Sequence, residues 1–171
     1  MAYLLDANVF IQAKNLHYGF DFCPAFWDWM IRENAAKKVF SIEKVGDELQ
    51  AIADSLSQWA EGRGPTFFVA PDSSVFPALS RVSEWATSQQ YDAAAVSTFL
   101  QVADYYLVAQ ALAGNHAVVT HEIASGSKRR IKIPDVCIGL GIKCVSPYQM
   151  LRTERAQFVL GSPTPREPGN A

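Results

Sequence analysis

Tyr3-Leu4-Leu5-Asp6-Ala7-Asn8-Val9-Phe10 decides how this chain is read: an apolar strand begins almost at the N-terminus and carries one carboxylate at its end. A buried strand does not accept an unpartnered charge in its middle, whereas the crevice beyond the carboxyl ends of an open parallel sheet is where ligands bind. Asp6 stands at such an end. Alternatively, Asp6 or Asn8 simply caps the helix that follows, so the meaning of Asp6 depends on whether other acids converge on it.

Outward from that strand, Val39 to Ile42 and Ala117 to Thr120 are short apolar, β-branched runs suited to buried strands, and Thr66 to Val69 and Lys143 to Val145 suit brief ones. Helical spacing fills the intervals. Pro24 to Lys38 carries Phe26, Trp27, Met30 and Ile31 on one stripe, and Pro24 is acceptable near the start. Glu43 to Trp59 carries Val45, Leu49, Ile52, Leu56 and Trp59; Glu48 falls at the edge of that stripe, while Glu43, Asp47 and Asp54 point away. Val75 to Thr87 and Asp92 to Leu100 read as helices of an insertion spanning about residues 66–100. Val102 to Ala113 is a strong helix stopped by Gly114-Asn115, with Asp104 at its start on the same face as Val108 and Ala111. Glu122 follows the strand that ends at Thr120, much as Asp6 follows the first. The segment Ser125 to Pro134 reads as a basic loop running into a short extended piece, and Tyr148 to Arg155 as a closing helix. Strands alternating with helices imply βαβ units, right-handed crossovers and a mostly parallel sheet.

With 171 residues the chain suits one domain with its own core, assigned here to residues 1–155, followed by a tail over 156–171. From Gly161 onward the sequence is polar and proline-rich, and disorder is expected there. The net charge of −2 argues against holding nucleic acid by bulk electrostatics, so any such contact must be local. Cys23, Cys137 and Cys144 are odd in number and widely spaced, which indicates neither a disulfide framework nor a zinc knuckle and suits a reducing cytoplasm. His17, His116 and His121 show no ligand spacing with one another or with the cysteines. No run approaches the roughly 20 apolar residues of a membrane-spanning helix, and no secretory leader is recognisable, so a soluble, cytoplasmic protein without membrane partners is expected. Neither G-x-G-x-x-G nor G-x-x-x-x-G-K-[ST] occurs, which disfavours a nucleotide cofactor.

Asp6, Glu48, Asp104 and Glu122 form a candidate acidic cluster. Such a cluster repels itself unless cations neutralise it, and hard divalent ions accept carboxylate and water oxygens, commonly together with substrate phosphate. Each acid also has an ordinary use, at a helix start, on a solvated face or in a surface loop. The joint pattern is what points to phosphate chemistry.

Four stretches, taken in order, resemble the motifs of PIN-domain nucleases: Tyr3 to Phe10, Val45-Gly46-Asp47-Glu48-Leu49, Ala103 to Ala111, and Val118-Val119-Thr120-His121-Glu122. The resemblance covers roughly the first 150 residues and is nearest to the VapC-like toxins of prokaryotic toxin-antitoxin pairs, in a subgroup with a longer helical insertion. It implies a three-layer α/β/α sandwich around a mostly parallel sheet of about four to five strands. It also implies Mg²⁺- or Mn²⁺-dependent endoribonuclease activity, with Asp6, Glu48 and Asp104 as catalytic metal ligands and Glu122 as the fourth. Asn8 and Thr120 match supporting polar positions. The last motif commonly reads Thr-x-Asp, so Glu122 reaches one methylene further, and Asp135 is a second candidate for that outer role. Lys128, Arg129, Arg130 and Lys132 are candidates for meeting the RNA backbone, or else form a solvated loop. A homodimer and a cognate antitoxin are further expectations of the resemblance.

Other functions compete with this one. A haloacid-dehalogenase-type phosphatase also places Asp at a strand end, but needs a second Asp where this chain has Asn8, which cannot transfer a proton. A non-catalytic module that binds RNA or protein would share the fold. A housekeeping RNA-processing nuclease would share the site as well and differ from a toxin in substrate and control.

Overall fold

Five short strands, β1 (Tyr3–Leu5), β2 (Val39–Ile42), β3 (Phe68–Val69), β4 (Ala117–Val119) and β5 (Cys144–Val145), pair in parallel in the order β3-β2-β1-β4-β5 in the computed structural model, which describes residues 1–161. The register sets Tyr3 beside Val39 on one side and Ala117 on the other, and Val118 beside Cys144. Among the described residues nine α-helices surround the sheet: α1 (Ala7–Gln12), α2 (Pro24–Ala35), α3 (Glu43–Gln50), α4 (Ser55–Glu61), α5 (Val75–Ser88), α6 (Ala93–Phe99), α7 (Ala103–Gly114), α8 (Ile133–Leu140) and α9 (Pro147–Thr153). The expected α/β class holds, as an all-parallel sheet in a three-layer α/β/α arrangement. No described helix is long and apolar enough to cross a membrane.

The strand order places the site. The chain winds from β1 through β2 to β3 in one direction, then returns to add β4 and β5 on the other side of β1. Adjacent strands β1 and β4 thus lead to connections that diverge, and a crevice opens at their carboxyl ends. Asp6 and Thr120 are the residues that follow those two strands.

An aromatic cluster supports β1 from the side of α1. Phe10, fully buried, has its ring centroid 5.8 Å from Trp59 and 6.1 Å from Phe67 and from Phe68, and Trp27 packs edge-on to Trp59 at 5.0 Å. Trp27 and Trp29 are core residues, and Trp59 and Trp85 are partly buried against the core. Phe158 lies in a stretch without regular structure, yet its ring packs against Tyr18 and Phe26. The expected disorder from Gly161 onward falls almost wholly on residues outside those described.

Three local expectations are corrected. The single helix over Glu43 to Trp59 is two helices, because Asp54 accepts the Leu56 and Ser57 amides (2.9 and 3.0 Å) and caps α4; Ile52, in the break, is 49% exposed. The short extended piece expected after the basic loop gives way to helix at Ile133. In α8 the residues Ile133, Val136 and Cys137 are buried at helical spacing, with Pro134 in the first turn, where its missing N–H costs nothing. On α5, Val75, Ala78, Val82 and Ala86 are buried and Phe76 lies outside.

Gly46 is the residue that lets α3 lie against β3, since a Cβ there would stand 2.8 Å from Cγ of Phe68. Gly46→Ala should therefore lower the melting temperature by about 3–8 °C, the effect of an overpacking cost of about 1–3 kcal/mol. Thermal denaturation followed by circular dichroism tests this, and an unchanged midpoint would refute the close packing.

Candidate active site

The backbone is zipped to β4 right up to the acid, with the Asp6 amide donating to Val119 O at 2.9 Å. Asp6 is 6% exposed. Thr120, one residue past β4 and also buried, donates its hydroxyl to Asp6 Oδ2 at 2.8 Å. The same hydroxyl accepts from Asn8 Nδ2 at 3.1 Å and from the Glu122 amide at 3.0 Å, while Asn8 Oδ1 accepts the His121 amide at 3.1 Å. One threonine hydroxyl, with its donor and both lone pairs used, thus ties the ends of β1 and β4 together and fixes how Asp6 points. The Asn8 and Thr120 readings gain a concrete geometry.

Asp104 enters from the first turn of α7, a position favoured by the helix dipole, and Glu48 enters from α3, which packs against α7. Asp104 stands within electrostatic reach of Asp6 and of Glu48. Burial first, then the charge of Asp104, pushes the Asp6 carboxyl up to about 7 despite the Thr120 hydrogen bond. Burial, then Glu122 and Glu48, pushes Asp104 up to about 6. Glu48 is solvent-exposed at the cleft edge, and partial desolvation there raises it as well. Among the described residues, no lysine or arginine forms an ion pair with Asp6, Glu48 or Asp104.

Glu122 lies within electrostatic reach of Asp6 and Asp104, but its oxygens are already engaged: Oε1 accepts from an Arg130 NH₂ and Oε2 from the Ile133 amide, both at 2.9 Å. Asp135 is turned elsewhere, its carboxylate accepting the Ser125 amide at 3.1 Å.

A cleft of about 710 Å³ opens beside the acids, lined by Glu48 and Asp104, the α6–α7 turn with Phe99, and the basic residues Lys44, Arg129 and Arg130. The four basic candidates divide into two pairs. Arg129 and Arg130 face the cleft, whereas Lys128 Nζ donates to Gln89 O at 2.8 Å and Lys132 Nζ to Ile123 O at 3.3 Å, pinning the loop. Lys44 is a basic residue of the cleft that sequence reasoning does not single out. It stands one turn before Glu48, a spacing that puts both on one face, and its ammonium lies 4.3 Å from the centre of the Tyr106 ring.

On another side, sequence-distant residues meet. The rings of His17 and His121 are 5.5 Å apart, and Tyr148 Oη lies 3.0 Å from His17 Nε2. Burial and His17 lower the pKa of His121, which favours its neutral form. His17 ends a π-helical turn (Ala13–His17) that extends α1, a local geometry that spacing rules do not anticipate.

A divalent cation can be tested against this donor set. Among the described residues no three His, Cys, Asp or Glu side chains are gathered as a ready-made cage. Mg²⁺ does not require one, because it commonly takes one or two carboxylates and completes its shell with water and phosphate. The oxygen-only chemistry of Asp6, Glu48 and Asp104, their mutual repulsion and their lack of a basic partner all fit such an ion.

Residues 3–158 match the family model described as "Domain of unknown function (DUF4411)". No curated protein and no solved structure matches the chain.

The raised acids make stability depend on pH. Asp6 keeps its proton in the folded state up to about pH 7, whereas in the unfolded chain it loses it near its ordinary value of 3.8. Between those values the folded state binds more protons, so stability falls as pH rises, and Asp104 adds the same sign up to about 6. Metal-free protein should thus melt at a temperature about 5 °C or more lower at about pH 8 than at about pH 5. Asp6→Asn should melt above wild type at the higher pH and show a shallower dependence. Parallel profiles for the two proteins would contradict the crowding.

Proposed function

This chain belongs to the family described as domain of unknown function DUF4411, and we propose that it is a metal-dependent endoribonuclease. The observation that carries the reading is that Glu48 and Asp104 line a cleft edged by Lys44, Arg129 and Arg130, with the buried Asp6 carboxyl within electrostatic reach of Asp104 and none of the three ion-paired with a described basic side chain. Acids that want a cation, beside bases that want an anion, match a phosphodiester and its metal. The ordered motifs that resemble PIN-domain nucleases agree with it.

In this reading Asp6, Glu48 and Asp104 hold Mg²⁺ or Mn²⁺. Such an ion, when bound, supplies Lewis acidity to the phosphodiester and activates water for in-line attack. The chain's own residues do the placing. Thr120 and Asn8 fix the Asp6 rotamer, so that the most buried ligand presents its carboxylate without reorganising. Burial raises the energy of the bare Asp6 and Asp104 anions and so sharpens their demand for a cation. Lys44 and Arg129 at the rim attract the RNA backbone to a chain whose net charge would otherwise repel it weakly.

The toxin reading rests on the resemblance to VapC-like proteins, which carries with it a homodimer and an antitoxin that covers the acids. The free Cys23, Cys137 and Cys144 suit a cytoplasmic setting.

Purified protein incubated with total RNA should produce discrete fragments with Mg²⁺ or Mn²⁺ and none with a chelator. Asp6→Asn and Asp104→Asn should each reduce the rate by about 100-fold or more. Equal cleavage by the variants would mean a contaminating nuclease and would sink the assignment. Release of phosphate from a phosphomonoester without RNA cleavage would move the site to the phosphatase class.

A further inference from the structure

Glu122 is the acid whose surroundings the nuclease reading leaves unexplained. Its backbone is fixed, since its amide donates to the Thr120 hydroxyl that also holds Asp6. Its carboxylate is spent on protein donors, one oxygen on Arg130 and the other on the Ile133 amide. Its side chain is 13% exposed, whereas that of Arg130 is 68% exposed. A pair with one partner so exposed contributes little to stability. Meanwhile the Glu122 charge raises both Asp6 and Asp104, which is a cost to the fold. The bond to the Ile133 amide supports the start of α8, and it is the pairing with Arg130 that stability leaves without an account.

The geometry around Arg130 does account for it. The guanidinium lines the same cleft as Glu48 and Asp104, close enough for its charge to favour the ionised form of Asp104. One terminal nitrogen is held by Glu122, and the remaining N–H donors of the fork have no hydrogen-bond partner among the described residues. An unrestrained exposed arginine would lose rotamer freedom on gripping a ligand. One already clamped by a buried-side carboxylate has lost most of it beforehand and presents its free edge in a set direction. The planar fork suits a phosphate oxygen pair.

We propose that Arg130 grips a backbone phosphate of single-stranded RNA beside the acids, and that Glu122 is its positioning residue rather than a fourth metal ligand. The proposal rests on the nuclease reading for its ligand, yet it makes a claim that metal-free binding tests separately. Glu122→Gln keeps an acceptor for the Ile133 amide, and Arg130 is exposed, so the variants should fold; their melting temperatures check this.

The probe is a fluorescein-labelled single-stranded RNA of about 20 nucleotides, titrated by anisotropy in chelator over a range of KCl concentrations. Arg130→Ala should weaken binding several-fold and reduce the slope of log affinity against log salt by about 0.7–1, and Arg130→Lys should restore the slope. Under single-turnover conditions with Mn²⁺, Glu122→Gln should slow cleavage by about tenfold with the half-saturating Mn²⁺ unchanged, while Arg130→Lys stays slow despite binding well. An Arg130→Ala slope equal to that of wild type would overturn the phosphate contact. A half-saturating Mn²⁺ raised tenfold in Glu122→Gln would overturn the positioning role and make Glu122 a ligand. If wild type binds RNA with the predicted Arg130-dependent slope but does not cleave it with either Mg²⁺ or Mn²⁺, the nuclease reading fails while the phosphate contact stands.

Discussion

The structure turns on one buried carboxylate. Asp6 sits at the end of the central strand, where the backbone is paired to β4 as far as Val119 and a single threonine hydroxyl supplies the side-chain hydrogen bond. Burying a carboxylate with so little compensation is unfavourable, and the protein answers by holding the proton to about pH 7. The free energy for keeping the acid there comes from elsewhere, chiefly from the apolar core beneath it. Leu5 and Phe10 on either side of Asp6 are fully buried, and Phe10 engages Trp59, Phe67 and Phe68 at once. Strain at the strand end is thereby set against packing on both sides of it.

The other acids are aimed by packing rather than by hydrogen bonds. Gly46 brings α3 onto Phe68, and α7 packs against both α3 and α5, so Glu48 and Asp104 come within electrostatic reach of each other because their helices do. Asp104 gains from the α7 dipole in isolation, and proximity to Glu122 and Glu48 works against that gain. The helix therefore starts where an acid is locally good and globally costly, a conflict that natural sequences retain mainly at functional sites.

Much of this was legible in the residues. β2 and the acid-bearing ends of β1 and β4 follow from apolar runs with period and length that fit nothing else, and Asn115, in the left-handed conformation, stops α7 as expected. The misses have physical causes. The apolar stripe from Val45 to Trp59 continues in phase through a break, because helical periodicity cannot report that the Asp54 side chain prefers the amides of the next helix. The eight-residue α8 was hidden by Pro134, Gly139 and the alternating Ile131-Lys132-Ile133, and its support is tertiary: the Glu122 carboxylate on the Ile133 amide and burial of Val136 and Cys137. Contacts across more than a hundred residues, such as Asn8 with Thr120 or His17 with Tyr148, have no signature in local spacing at all.

Among the described residues, four acids other than Asp6, Glu48 and Asp104 are ion-paired. Asp54 is matched by Lys14, Glu154 by Lys38, Glu33 by Arg32 and Glu122 by Arg130. The chain thus has basic side chains to spend and spends them elsewhere, leaving Asp6, Glu48 and Asp104 unmatched among the described residues. Even Lys44, one turn from Glu48, rests its ammonium on the Tyr106 ring instead of on the carboxylate. A resident lysine or arginine would quiet the repulsion permanently and fill the crevice with a side chain. A cation from solution would relieve the same repulsion and leave room for water and phosphate, which is what the proposed function asks of these acids.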